Sequence, residues 1–212
     1  MPDFKIESSL DKPVIGIDEV GRGPLAGPVV SCACMFLSYS LSPYELNLLD
    51  DSKKLSPQKR KKSLKIIMQM QKNNKLKFAI GSASVKEIDK FNILQATILS
   101  MKRAILKLNL TKGNIIVDGN VKLEVKNFKC KNFIKGDQLS TSIATASIIA
   151  KVHRDKYMAN IGKQFPHFKW EVNAGYGTKT HLKELHKRGI SPYHRKSFKP
   201  IKNFIHNNKS SC

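Results

Sequence analysis

The stretch Val14-Ile15-Gly16-Ile17-Asp18-Glu19-Val20-Gly21-Arg22-Gly23-Pro24-Leu25-Ala26-Gly27-Pro28 passes from an apolar run, through two carboxylates, into a series of glycines and prolines. Val14 to Ile17 predicts a short buried strand. Asp18 and Glu19 close it. Beyond them, Gly21-Arg22-Gly23 can take positive φ angles and let a ligand approach its amides, with one cation between the glycines. An ordinary turn needs one or two such residues, so the continuation to Gly27-Pro28 marks a functional loop rather than a simple reversal. One condition attaches: successive strand residues point to opposite faces, so Asp18 and Glu19 can share a ligand only if the strand ends between them.

Outward from this stretch, Val29 to Leu37 (VVSCACMFL) predicts a second strand, the hairpin partner of the first. Ser56-Pro57 is a helix start, and Leu64, Ile67 and Met68 give that helix its apolar stripe. Phe78 to Ala83 predicts a third strand. Ser84-Val85-Lys86-Glu87 is a capping box opening a long helix with its buried stripe at Phe91, Leu94, Ile98, Met101, Ile105 and Leu108. Asn114 to Asp118 is an apolar strand ending in a carboxylate, where open α/β sheets place their chemistry, although an Asp-Gly turn alone has the same look. Asp137 stands at the start of a helix expected from about Gln138 to Gly162, either as its N-cap or as a further site acid. Ser140 to Ala150 is rich in small residues, which lets a helix lie close to a sheet. Asp155 reads as a structural ion-pair partner.

With 38 Lys and Arg against 16 Asp and Glu, the formal charge is +22. Such a field attracts polyanions, nucleic acid first and an anionic membrane surface second. No apolar run approaches the ~20 residues of a bilayer span, and the N-terminus lacks the apolar core of a signal peptide, so a cytoplasmic protein without membrane contact is expected. Cys32, Cys34, Cys130 and Cys212 show neither zinc spacing nor a disulfide framework. From Phe165 the composition turns aromatic, histidine-rich and basic. His167, His181, His186, His194 and His206 fit no zinc pattern and read as phosphate contacts or surface positions. Gly175-Tyr176-Gly177-Thr178 frees one aromatic ring before a helix N-cap, suited either to stacking on a sugar or base or to packing in a turn. The expected division is a catalytic domain over 13–163, a helical lobe over 164–205, and flexible termini at 1–12 and 206–212.

Asp18, Glu19, Asp118 and Asp137 come from three segments, each at a strand end or helix start. If the fold converges them, their repulsion demands cations, and oxygen-only ligation selects Mg²⁺ or Mn²⁺. Two such ions about 3.5–4 Å apart would serve phosphodiester hydrolysis. A non-catalytic basic nucleic-acid-binding protein is the alternative that charge alone would satisfy, but it leaves the four acids without a reason. A nucleotide-binding enzyme is disfavoured, since the loop lacks both GxxxxGK[ST] and GxGxxG.

The ordered motifs VIGIDEVGRGPLAGP, Asp51-Ser52-Lys53-Lys54-Leu55-Ser56, Lys135-Gly136-Asp137 with Lys151-Val152 and Arg154-Asp155, Gly175-Tyr176-Gly177-Thr178, and His194-Arg195 with Ser197-Phe198 span Pro13 to Pro200. Together they resemble the type 2 ribonucleases H, specifically the bacterial ribonuclease HII family. The resemblance implies an α/β, ribonuclease H-like fold, a mixed central sheet flanked by helices with a helical C-terminal lobe. It implies cleavage of the RNA strand of RNA–DNA hybrids and of duplex DNA carrying single ribonucleotides, leaving 5′-phosphate and 3′-hydroxyl ends. It assigns Asp18, Glu19, Asp118 and Asp137 to catalysis and metal binding, Gly21, Arg22, Gly23 and Tyr176 to reading the ribonucleotide junction, and Lys53 to substrate phosphates. A monomer is expected, as no coiled-coil heptads suggest assembly. Ala174 stands where many relatives carry Lys, and Thr145 interrupts the usual alanine series. The residues before Pro13 leave no room for the extra N-terminal domain of the sister type HIII.

Overall fold

The computed structural model describes residues 1–50 and 55–209. Its elements in chain order are α1 (Lys5–Ser8), β1 (Val14–Val20), β2 (Val29–Phe36), α2 (Pro43–Asn47), α3 (Pro57–Lys72), β3 (Leu76–Ala83), α4 (Val85–Leu106), β4 (Gly113–Asp118), β5 (Phe128–Phe133), α5 (Thr141–Gly162), α6 (Trp170–Asn173), α7 (Lys179–Arg188) and α8 (Lys199–Lys209). The five strands lie in the order β3-β2-β1-β4-β5. β1, β2 and β3 form an antiparallel meander, and β4 and β5 add parallel to β1. This is the mixed sheet flanked by helices that the sequence motifs imply.

Strand alternation divides the sheet into two faces. Ile15 and Ile17 of β1, Ala33 and Met35 of β2, and Ile115 and Val117 of β4 pack with Met101, Ala104 and Ile105 of α4. On the other face Cys32, Cys34 and Phe36 of β2 pack with Ile67 and Met70 of α3 and with Ala146, Ile148 and Ile149 of α5. α5 lies against β1 because both surfaces are small there: a Cβ on Gly16 would stand 2.4 Å from the backbone of Ser142.

Both predicted capping signals form. Ser84 and Glu87 make the reciprocal capping box of α4, and Ser56 accepts the Lys59 amide at the start of α3. The apolar stripes differ from expectation. α4 is broken at Asn92 (φ 67°, ψ 167°), whose side chain accepts the amides of Leu94 and Gln95 and restarts the helix. The break takes Phe91 and Leu94 out of the buried stripe and leaves both exposed, while Met101 and Ile105 remain in the core. In α3 the buried residues are Ser63, Ile67 and Met70, and Met68 faces outward.

The N-terminus is not a frayed lead-in. Glu7 of α1 is fully buried, where its carboxylate accepts the Ser140 hydroxyl at 2.6 Å and the Ser142 amide at 2.9 Å. A carboxylate at the amino end of α5 meets the positive end of that helix. Phe4 stacks on Tyr39 and meets Phe36 edge-on. At the other end α8 runs through residues expected to be loose from 206, and its own Ile201 is buried. Ile201 belongs to a cluster with Phe168, Trp170, Leu185, Met158, Leu25 and Ala26, so the C-terminal helices are built onto the loop that follows β1. Among the described residues no helix is long and apolar enough to cross a membrane.

Candidate active site at the sheet edge

The register Ile17↔Val117 brings Asp18 and Asp118 to the same edge of neighbouring parallel strands. Ile15, Ile17, Ile115 and Val117 face α4, so Asp18 and Asp118 face α5. There Asp18 is buried, and its carboxylate accepts a hydrogen bond from Ser147 of α5 and the amide of Glu19 at 2.7 Å. Burial first, then the charge of Glu19, and more weakly that of Asp118, raise its pKa well above the ordinary 3.8. The Ser147 hydroxyl works in the opposite direction. Ionising Asp18 at this edge is therefore costly without a cation beside it.

Asp137 arrives by a short link. After β5, Lys135 takes a left-handed conformation and Gly136 opens a 3-10 turn whose amide donates to Oδ1 of Asp118 at 2.7 Å. Asp137 follows directly and is buried. The N-cap of α5 is Ser140, whose hydroxyl accepts the Ile143 amide, so capping is not the role of Asp137.

Glu19 departs from expectation. β1 does not end between Asp18 and Glu19 but continues to Val20, and Glu19 pairs with Ser31, whose hydroxyl lies 2.6 Å from Ser100 of α4. Alternation thus turns Glu19 from the face of Asp18. Its Oε1 lies 3.4 Å from Arg22, and its charge still acts on Asp18. Among the described residues no three His, Cys, Asp or Glu side chains are already gathered closely enough to enclose a metal ion.

The glycine loop is suspended from two buried guanidiniums. Arg154 of α5 donates to the carbonyls of Pro28, Ala26 and Ala174, and Arg195 donates to those of Gly27, Arg22 and Gly21. Neither is in an ion pair among the described residues. Burial brings Arg154 down to about 10 and Arg195, with Arg154 nearby, to about 9, which leaves both charged at neutral pH. Gly21, at φ +95°, has no room for a side chain: its Cβ would lie 2.2 Å from Nε of Arg154. With its carbonyls turned inward to the arginines, the loop carries Arg22 and Gly23 on the exposed side. A Cβ on Gly23 would meet the Tyr176 ring at 3.5 Å, so the loop and the half-exposed Tyr176 form one surface.

Beside this surface, Arg60 and Lys61 of α3, Lys151 and Lys156 of α5, and Glu171 of α6 line a groove of about 640 Å³. Lys151 lies one helical turn beyond Ser147, so the groove begins next to the acidic edge. Lys151 also pairs with Asp155 at 2.8 Å, the structural role expected of Asp155. Lys53 and Lys54 lie outside the described residues.

Sequence reasoning did not single out Ser147, nor Arg154 and Arg195 as supports of the loop. It also misplaced two histidines, since His181 and His194 are buried and hydrogen-bonded rather than on the surface. A serine among small residues and an arginine among charges carry no mark of burial; for the two arginines the signal was their place within the ordered motifs.

The family model for Ribonuclease HII matches residues 15–201. The chain belongs to the ribonuclease HII family. It is 48% identical over 200 residues to a Ribonuclease HII of Wolbachia pipientis wMel, covering 94% of this chain and 96% of that one. It is also 48% identical over 194 residues to that of Pelagibacter ubique, covering 92% and 100%. Among solved structures it resembles the ribonuclease H2 from Pyrococcus horikoshii OT3, with a TM-score of 0.69 at 19% identity over 92% of this chain and 98% of that one. Bst-RNase HIII in complex with Mn2+ gives a TM-score of 0.71 at 17% identity, over 99% of this chain and 75% of that one. The two structures share its fold.

Proposed function

We propose that this member of the ribonuclease HII family is an endoribonuclease that cleaves the RNA strand of RNA–DNA hybrids, and duplex DNA containing single ribonucleotides, by metal-assisted hydrolysis. The carrying observation is the pair Asp18 and Asp118, side by side on one face of adjacent strands, next to the surface formed by Gly23 and Tyr176. The family membership supports the same reading.

The donor set fits a hard divalent cation. It offers carboxylate oxygens only, and burial together with the charge of Glu19 makes an ionised Asp18 costly unless a cation lies beside it. Asp18 and Asp118 are the anchoring ligands and Asp137 is the candidate beside them; Glu19, on the opposite face of β1, would join the set only by a turn of its side chain. Mg²⁺ or Mn²⁺, two ions in the full reading, would activate water and stabilise the leaving oxygen of the scissile phosphate. The solved Mn²⁺ complex of Bst-RNase HIII, a protein of the same fold, agrees with that choice.

The remaining work falls to this chain's own residues. Ser147 holds Asp18 in one orientation, and the Gly136 amide does the same for Asp118. Gly21, Arg22 and Gly23, with the Gly21 and Arg22 carbonyls held by Arg195, offer backbone amides to the ribose 2′-hydroxyl, the group that separates RNA from DNA at one position. Tyr176 stacks on the adjoining sugar. Lys151, Arg60 and Lys61 in the neighbouring groove receive phosphates, as the net charge of +22 favours. Residues 164–205 act as the substrate-binding lobe.

The test is cleavage of an end-labelled RNA–DNA hybrid with Mg²⁺, with Mn²⁺ and with chelator. Products with 5′-phosphate and 3′-hydroxyl ends, formed only with metal, are expected. Tight binding without cutting under every metal condition would leave the alternative, a basic nucleic-acid-binding protein.

A further inference from the structure

Behind the Tyr176 loop lies a chain of hydrogen bonds that nothing in the proposed chemistry uses. The Ser191 amide donates to Nδ1 of His194 at 2.9 Å; Nε2 of His194 and Nε2 of His181 are 2.9 Å apart; Nδ1 of His181 is 2.8 Å from the carbonyl oxygen of Tyr176. Nε1 of Trp170 donates to Nε2 of His181 at 3.3 Å. Both imidazoles are buried, at 0% and 1% exposure.

The protons on this chain can be placed from both ends. An amide N–H only donates, so Nδ1 of His194 is bare and its proton sits on Nε2. A carbonyl only accepts, so Nδ1 of His181 carries the proton and its Nε2 is bare. The two deductions meet without conflict: Nε2–H of His194 donates to Nε2 of His181, which also accepts from Trp170. A second proton on either ring would set N–H against N–H. Burial holds both rings to their neutral forms, pushing His181 down and, with His181 beside it, His194 to about 3.

We propose that His181 and His194 are positioning residues for Tyr176, a one-way relay from Ser191 that fixes the Tyr176 carbonyl and so aims its ring across Gly23 at the substrate sugar. The inference rests on the reading of Tyr176 as a substrate contact. The Tyr176 backbone is otherwise held by its amide donating to Asn173 and by the Thr178 amide donating to the same carbonyl, bonds within its own loop. The relay is the link that ties this carbonyl to residues 191–194, and Tyr193 and Arg195 in turn bind the glycine loop through Gly27, Gly21 and Arg22. Beside the direct bond from the Leu25 amide to the Gly175 carbonyl, this route registers the two halves of the junction-reading surface to each other.

Two measurements test it. Long-range ¹⁵N NMR of the histidine rings in the unmodified protein should show His181 protonated at Nδ1 and His194 at Nε2; the reverse tautomers, or averaging between them, would overturn the relay. In steady-state cleavage of a duplex with one ribonucleotide, His181→Phe should raise KM about tenfold with kcat held within about twofold. His181→Asn, whose amide reaches the position of Nδ1, should recover most of that loss. In a Tyr176→Ala background, His181→Phe should add nothing further to KM. Additive effects would mean that His181 acts elsewhere than through Tyr176, and the relay would be rejected. If Tyr176→Ala alone leaves KM unchanged, the substrate-contact reading of Tyr176 fails, and the positioning role fails with it, whatever the tautomers.

Discussion

The amide of Gly136 donates to Oδ1 of Asp118 at 2.7 Å, which ties the end of β4 to the turn that carries Asp137. Two of the acids are thus set by one bond between backbone and side chain. Asp118→Asn keeps an oxygen acceptor for Gly136 and removes the charge. Its unfolding free energy should stay within about 0.5 kcal/mol of the unmodified protein, while metal-dependent cleavage falls by at least about 10²-fold. Thermal unfolding and initial rates on the same preparation check both halves.

Asp18 is held at a cost in stability that a metal would offset. Its folded-state pKa is raised, so the stability contributed by its protonated form is present below about 3.8 and is lost as pH rises through the folded value. Asp18→Asn keeps an acceptor for Ser147 and for the Glu19 amide without the charge. In chelator at pH 7 the variant should be more stable, by roughly 1 kcal/mol or about 2–4 °C in Tm for a chain of this length. The difference should shrink toward pH 4. Added Mn²⁺ should raise the Tm of the unmodified protein and leave the variant where it is. Scanning calorimetry across pH, with and without Mn²⁺, reads all three.

Arg195 holds three carbonyls of the glycine loop with one planar group. Lysine offers a single ammonium and cannot reach Gly27, Arg22 and Gly21 together. Arg195→Lys should cost about 3 kcal/mol or more, the penalty of leaving buried polar groups without partners. Urea unfolding measures the loss, and limited proteolysis should cut first between residues 21 and 28.

Gly23 separates function from stability. A Cβ there meets the Tyr176 ring at ordinary contact distance, 3.5 Å, and nothing else nearby. Gly23→Ala should therefore unfold within about 0.5 kcal/mol of the unmodified protein yet narrow the surface against which the ribose is proposed to lie. Cleavage of a single-ribonucleotide duplex should fall about tenfold, a loss near 1.4 kcal/mol. Gly21→Ala, by contrast, should lose the fold locally, since its φ of +95° and the 2.2 Å approach to Arg154 admit no side chain.

Much of this was legible in the sequence because local rules and the global fold agree there. The apolar runs of β1, β2 and β4, the Ser84–Glu87 capping box and the Ser56-Pro57 start all form. The strand-end position of Asp118 came from the same reading. What stayed hidden depends on distant partners. β5 reads FKCKNF because it is an edge strand with alternate residues in solvent, so it has no apolar run to betray it. Glu7 looks like any polar residue of a loose terminus until Ser140 and Ser142, far along the chain, meet it. Phe91 and Leu94 keep helical spacing across Asn92, and no spacing rule registers a break. Arg154 and Arg195 stand amid exposed lysines, and only the carbonyls they serve distinguish them.

The acidic edge at Asp18 and Asp118 is proposed to perform hydrolysis at a ribonucleotide. The most direct measurement is single-turnover cleavage of a labelled DNA duplex containing one ribonucleotide, beside an all-DNA duplex of the same sequence, with Mg²⁺ or Mn²⁺ and with Asp18→Asn in parallel. Cutting on the 5′ side of the ribonucleotide, absent from the all-DNA duplex and lost in the variant and in chelator, is the predicted result. Equal cutting by Asp18→Asn, or equal cutting of the all-DNA duplex, would contradict it.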